Sequence, residues 1–263
     1  MIIDAHHHYA DESYYTDYHD YAADLVRAMD RYGWDWVCLN AYKVPDLAPE
    51  FSNDNRLVAE AVERYPRRII GIGWIDMDKQ TPAMIKHLHD MGMRGLKIIA
   101  TLKRYDDDAY LPFYEEAAAL SMPILFHTGQ LGGTTLLKPM DVSSDRYRPI
   151  TLDRLARLFP GLVIIGAHLG LPWFEETLGM MDIHPNLYFD LTGRCSELSP
   201  EYYTLPRYSV IRWERLLFGS DSLANDGHIA FTQIKHLMNA LAVDPQTQQK
   251  VLGETAAKIY RIV

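Results

Sequence analysis

With 263 residues, 48% of them hydrophobic and 23% charged, the chain is long enough for one full-size α/β barrel or two small domains, with ample apolar residues for a packed core. A net charge of −9 argues against a nucleic-acid partner, because phosphates call for a basic surface. The 2 cysteines, Cys38 and Cys195, make neither a disulfide framework nor a CxxC zinc site, so a reduced, cytoplasmic setting is the default.

Met1-Ile2-Ile3 runs straight into Asp4, without the basic and apolar regions of a secretory leader. No apolar stretch approaches the length of a membrane span, and no membrane partner is expected. Beyond this start, short β-branched runs alternate with stretches of helical periodicity. Strands are predicted at 1–8, 35–41, 68–76, 93–99, 122–128, 162–168, 186–192 and 216–221. They begin roughly every 30 residues, the size of a βα unit.

The first helix is predicted from Tyr21 to Tyr32, stopped by Gly33. Asp54 to Tyr65 forms a second, opened by Asn53 or Asp54 and closed by Pro66. Thr81-Pro82 opens a third, with Met84, Ile85, Leu88 and Met91 on one face and Gly92 as its stop. Trp173 and Phe174 open a helix after the sixth strand. Phe231, Ile234, Met238 and Leu241 recur at helical steps, and a last helix over about 246–260 closes the chain.

Continuous apolar strands between helices describe a parallel sheet covered on both faces. Eight units favour a (β/α)8 TIM barrel over an open doubly wound sheet, which would want a Gly-rich phosphate loop after its first strand. Nothing resembling a linker interrupts residues 1–263, so one domain is expected. Substrate-shaping loops are expected at 42–53, 129–150 and 194–207.

Polar groups close these strands. His6 and His8 end the first, two residues apart and on one face, with Asp4 on that face one step deeper and His7 turned toward the helices. His127 ends the fifth run, His168 the sixth and Asp221 the eighth. Each histidine alone reads as a hydrogen-bonded strand end. Together they would line one mouth of a barrel, where histidine plus carboxylate suits a catalytic divalent metal. Lys97, on the fourth strand, reads as a substrate contact or as a lysine paired with a buried carboxylate. Asn40, Tyr42, Trp74, Asp76, Asp190 and Arg194 also stand at strand ends, and Arg194 or Arg104 would hold a substrate carboxylate bidentately. Tyr9, Tyr14, Tyr15, Tyr18 and Tyr21 fit a pocket wall for a flat ligand and a homo-oligomer interface equally well.

The set resembles the amidohydrolase superfamily. More narrowly, it is similar to the amidohydrolase-related group that includes aminocarboxymuconate-semialdehyde decarboxylase and aromatic-acid decarboxylases. The resemblance runs over nearly the whole chain. It is carried by Ile3-Asp4-Ala5-His6-His7-His8, Ile124-Leu125-Phe126-His127-Thr128-Gly129, Ala167-His168-Leu169-Gly170, Leu217-Phe218-Gly219-Ser220-Asp221-Ser222 and the closing Leu252-Gly253-Glu254-Thr255-Ala256-Ala257-Lys258-Ile259-Tyr260. It implies His6, His8, His127 and Asp221 as ligands of one metal, usually zinc, with His168 as the acid/base. In some members a carbamylated lysine at the position of Lys97 bridges two metals.

Residue chemistry is consistent with those roles. Imidazoles and one carboxylate suit Zn²⁺, with Mn²⁺ accepting similar donors. Such an ion lowers the pKa of its water to about 7, and Asp221 can also take a proton while bound. The function expected is a metal-dependent hydrolase of a small carbonyl compound: a lactone, an amide or a cyclic ester. Its alternative is a non-oxidative decarboxylase of an aromatic or unsaturated acid at the same site. The chain is short for such decarboxylases, which tilts the reading to hydrolysis. In either case Lys97, Arg194 and Trp74 are the substrate-binding candidates. A barrel without catalysis would not need competent residues at all five positions.

Overall fold

The computed structural model describes residues 1–9, 20–41, 55–131, 141–204, 210–222 and 226–262. Eight parallel strands follow one another around the sheet in chain order: β1 (Ile3–His8), β2 (Trp36–Asn40), β3 (Ile69–Trp74), β4 (Gly95–Ile98), β5 (Ile124–Phe126), β6 (Ile164–Gly166), β7 (Leu187–Asp190) and β8 (Leu216–Leu217). Backbone bonds from Ala5 N to Phe218 O (2.9 Å), from Asp221 N to His6 O (2.7 Å) and from His8 N to Ser222 O (2.9 Å) bring the chain after β8 back onto β1. The architecture is the expected TIM barrel.

Helices between the strands supply the outer layer. In α1 (Tyr21–Tyr32) the Asp20 side chain accepts from Ala23 N, and Gly33 closes the helix with φ 71°. A left-handed C-cap favours glycine, which has no Cβ to clash. The helices α2 (Asn55–Arg64), α3 (Ala83–Asp90), α4 (Leu111–Ala119), α5 (Asp153–Leu158), α6 (Phe174–Ile183), α7 (Pro200–Thr204) and α8 (His228–Ala240) follow. The residues expected to cap α2, Asn53 and Asp54, lie outside the described residues. The larger apolar core lies between strands and helices and includes Leu25, Met29, Leu88, Phe126 and Leu237. A smaller one, with Ile3, Ile72, Leu125, Ile165 and Leu217, fills the barrel and takes in Ala256, Ile259 and Tyr260 from the last helix.

Four expectations are corrected. First, Asp4 does not share a face with His6 and His8. Asp4 and His7 are three positions apart where their β2 partners Val37 and Leu39 are two apart, so β1 carries a bulge. Asp4 therefore sits on the His7 side, 3.3 Å from His7 Nδ1, and accepts from Ser220 N at 2.9 Å and Ser220 Oγ at 2.6 Å. Second, β8 is two residues long, because Phe218 N leaves the ladder for Val251 O. Third, the loop expected over 194–207 holds a 3-10 turn, Gly193–Glu197, and α7. The loop expected at 42–53, residues 132–140 of the one at 129–150 and residues 205–207 of the one at 194–207 lie outside the described residues.

Fourth, the closing helix is broken. It divides into α9 (Pro245–Gln249), a π-turn (Lys250–Glu254) and α10 (Thr255–Tyr260). The break falls where the chain crosses β1: a Cβ on Gly253 would lie 2.5 Å from the Met1 carbonyl oxygen. Among the described residues no helix is long and apolar enough to cross a membrane.

Gly253→Ala is expected to destabilise the fold by about 1–3 kcal/mol, the usual cost of overpacking, and to lower the melting temperature by several degrees. Gly161→Ala, whose Cβ would meet nothing within 4 Å, is the control. Thermal unfolding followed by circular dichroism measures both.

Candidate metal centre

The bulge in β1 turns His6 and His8 to the same mouth of the barrel. Asp221 reaches them from the turn after β8, where φ is 54° and its own N–H is bound to His6 O. Three donor atoms converge there. His6 Nε2 lies 3.2 Å from His8 Nε2, His8 Nε2 lies 2.9 Å from Asp221 Oδ1, and His6 Nε2 lies 3.3 Å from the same oxygen. Bonds of about 2.0–2.2 Å to a tetrahedral ion leave neighbouring donors a little over 3 Å apart. The triangle therefore has the size and chemistry to hold a divalent ion.

Asp190, at the end of β7, prepares His6 for that role. Its Oδ2 accepts from His6 Nδ1 at 2.8 Å. With the ring proton held at Nδ1, the lone pair of Nε2 faces the triangle, the carboxylate–histidine support usual behind a metal ligand. The other oxygen, Oδ1, accepts from His168 N (2.8 Å), Thr192 N (3.2 Å) and the Thr192 hydroxyl (2.5 Å). Burial pushes the Asp190 carboxyl up, but His6 and these donors outweigh it and hold it well below the usual carboxylate range. Asp221 behaves alike: burial opposes ionisation, and the His6 and His168 charges leave it well below its ordinary value.

His127 and His168 form a second group. His127 follows β5 directly. His168 opens a 3-10 turn two residues past β6 with φ 58°, rather than ending the strand. His168 Nε2 lies 3.3 Å from His127 Nδ1, and the rings are 4.9 Å apart. His127 Nε2 meets the Gln130 carbonyl at 3.3 Å, so its donors are not among the three that converge. Burial lowers His127 well below an ordinary imidazole, reinforced by the His168 and Lys97 charges. Burial also lowers His168 against the pull of Asp221 and Asp190, and takes His8 down to about 4 despite its bond to Asp221. His7 faces away, bonding Tyr21 Oη at 2.8 Å and Ser220 Oγ at 3.1 Å.

Lys97 is buried on β4, and its Nζ stands 3.0 Å from His6 Nε2. Burial brings its pKa down to about 8, against the attraction of Asp221 and Asp190. Trp74 is in register with Lys97 and shares its face. Asn55 bonds both the N–H and the carbonyl of Trp74, and the buried indole Nε1 has no partner among the described residues. The backbone of Arg194 lies in the 193–197 turn, while its side chain is outside the described residues. Tyr42, Tyr14, Tyr15 and Tyr18 are also outside them; Tyr9 and Tyr21 pack with rings 4.6 Å apart. Asn40 donates to His7 O and Cys38 O. Asp76 accepts from Asp78 N in its own turn, and Arg104 is paired with Asp106. Thr192 has no signal in the sequence: a lone threonine after a strand carries none until Asp190 is known to turn inward. Cys38 and Cys195 are both buried free thiols.

The sequence profile of the amidohydrolase family matches residues 3–262. No curated protein matches the chain. Among solved structures, an uncharacterised TIM-barrel protein from Bordetella bronchiseptica superposes with a TM-score of 0.76 at 19% identity, over 99% of this chain and 98% of its own. A probable 2-pyrone-4,6-dicarboxylic acid hydrolase from Acinetobacter baumannii gives 0.66 at 14% identity, over 99% of both chains. A 5-carboxyvanillate decarboxylase from Novosphingobium aromaticivorans, solved with manganese, gives 0.63 at 17%, over 100% of this chain and 96% of that one.

Asp190→Asn is expected to weaken ion binding by roughly 10–100-fold, the usual effect of removing the acceptor behind a ligating histidine. Competition with a chromogenic chelator measures it.

Proposed function

The chain belongs to the amidohydrolase family, and on that premise we propose that it is a metal-dependent hydrolase of a small carbonyl substrate such as a lactone, an amide or a cyclic ester. His6, His8 and Asp221 would hold the ion, with His127 as the fourth ligand. Zinc suits imidazole and carboxylate donors best, and manganese accepts the same set. When bound, such an ion polarises a carbonyl oxygen and acidifies a water.

The remaining steps fall to the protein. His168 takes up the proton of the attacking water at Nε2, the ring nitrogen that faces His127, and returns it to the leaving oxygen or nitrogen. Lys97 donates to a substrate oxygen from the barrel wall. Trp74 offers beside it an indole N–H with no partner among the described residues, and Arg194 is a further candidate cation.

One observation carries hydrolysis. His127 and His168 stand side by side, and burial favours the neutral form of both. A neutral His168 accepts a proton from water, while a neutral His127 keeps its lone pair for the ion. Decarboxylation needs an acid that hands a proton to carbon, and a neutral His168 is the poorer starting form for that task. Decarboxylation is the second reading because Lys97 is a buried cation beside the triangle, suited to a carboxylate. Chain length does not separate the two, since the superposition covers 96% of the decarboxylase chain.

Elemental mass spectrometry is expected to find about one zinc or manganese ion per chain, little of it in His127→Ala and none in Asp221→Asn. The loaded protein should open lactones or cleave amides and release no carbon dioxide from hydroxybenzoates. Carbon dioxide release without hydrolysis would reverse the assignment. His168→Ala should lower kcat by about 10²–10⁴. Because burial lowers the His168 pKa, the base stays unprotonated at neutral pH. The acid limb of kcat/KM should therefore lie below pH 6.5, and a limb above that value would speak against His168 as the base.

A further inference from the structure

The hydroxyl of Thr192 stands between a carboxylate and a histidine and has a single proton for two neighbours. Its Oγ lies 2.5 Å from Asp190 Oδ1 and 2.6 Å from His168 Nδ1. Asp190 Oδ1 already receives the backbone N–H groups of His168 and Thr192, so it is an acceptor, and the hydroxyl donates to it. Were the proton turned to His168 instead, two lone-pair oxygens would face each other at 2.5 Å. With its proton spent on Asp190, the Thr192 oxygen can only accept, and Nδ1 of His168 must carry hydrogen. The turn that presents Thr192 also leaves this edge of the ring clear: at Gly193, with φ 61°, a Cβ would lie 3.3 Å from His168 Nδ1.

We infer that Thr192 fixes His168 in the tautomer protonated at Nδ1, leaving the Nε2 lone pair as the basic atom of the site. Thr192 is then a positioning residue, acting through His168. The same carboxylate that holds the His6 proton at Nδ1 holds that of His168 at Nδ1 through one hydroxyl, so Asp190 sets both tautomers. The tautomer itself is independent of the reaction; its catalytic consequence rests on the hydrolase reading above.

Nitrogen-15 NMR of the histidine rings in the zinc-loaded protein tests this, with His168→Gln identifying the His168 signals. The wild type should show a protonated Nδ1 and an unprotonated Nε2. Thr192→Val, which keeps the shape and removes the hydroxyl, should shift His168 to the opposite tautomer or to a mixture. Thr192→Ser should restore the wild-type pattern. In a hydrolysis assay Thr192→Val should lose at least about tenfold in kcat, part of the contribution of about 10²–10⁴ that a general base makes. KM should change little, and Thr192→Ser should recover most of the rate. A wild-type His168 protonated at Nε2, or a Thr192→Val spectrum identical to wild type, overturns the inference. If the wild type hydrolyses nothing, the hydrolase reading fails while the ring spectra still decide the tautomer.

Discussion

The site is organised around one buried carboxylate. Asp190 is almost wholly excluded from solvent, and an isolated charge in such a place costs several kcal/mol. Four donors meet that cost: His6 Nδ1, the backbone N–H groups of His168 and Thr192, and the Thr192 hydroxyl. They come from β1, from the turn after β6 and from the segment after β7. Satisfying the charge therefore gathers the parts of the site, and the barrel mouth owes its arrangement to an acid that need not touch substrate.

Two irregularities complete the arrangement. The β1 bulge spends one residue to turn Asp4 onto Ser220, which anchors the turn that carries Asp221. His168 and Asp221 both adopt left-handed backbone, at φ 58° and 54°. Non-glycine residues hold that conformation only where surroundings impose it, and such strain gathers where side chains are aimed at a task. Here the Asp190 carboxylate grips the N–H of His168, and the His6 carbonyl grips the N–H of Asp221. The barrel forces these two residues to face the mouth.

Much of this was legible in the residues. Apolar runs closed by His8, His127, His168 and Asp221 announce a parallel barrel with polar groups at one end, because parallel strands end on one side. Tyr21–Tyr32 could be read to the residue, since Gly33 has one conformational reason to follow it. The face of Asp4 could not, because a bulge is a long-range compromise that leaves strand periodicity looking regular. Nor could the break at Gly253, which answers to the backbone of Met1 at the far end of the chain. Asp190 was visible as a polar strand end, but apart from Thr192, two residues on, its partners come from β1 and from the turn after β6. Their convergence is a property of the closed barrel and of no local pattern.

The donor triangle is also a clasp between distant parts of the chain. His8 and Asp221 are 213 positions apart, and the β1 strand that carries the histidines is crossed by Gly253 near the last turn. Contacts of such long sequence separation carry the loop-closure entropy of most of the barrel. The ion cage therefore exists only while β1 and the turn after β8 stay together, and ion affinity becomes a readout of barrel closure.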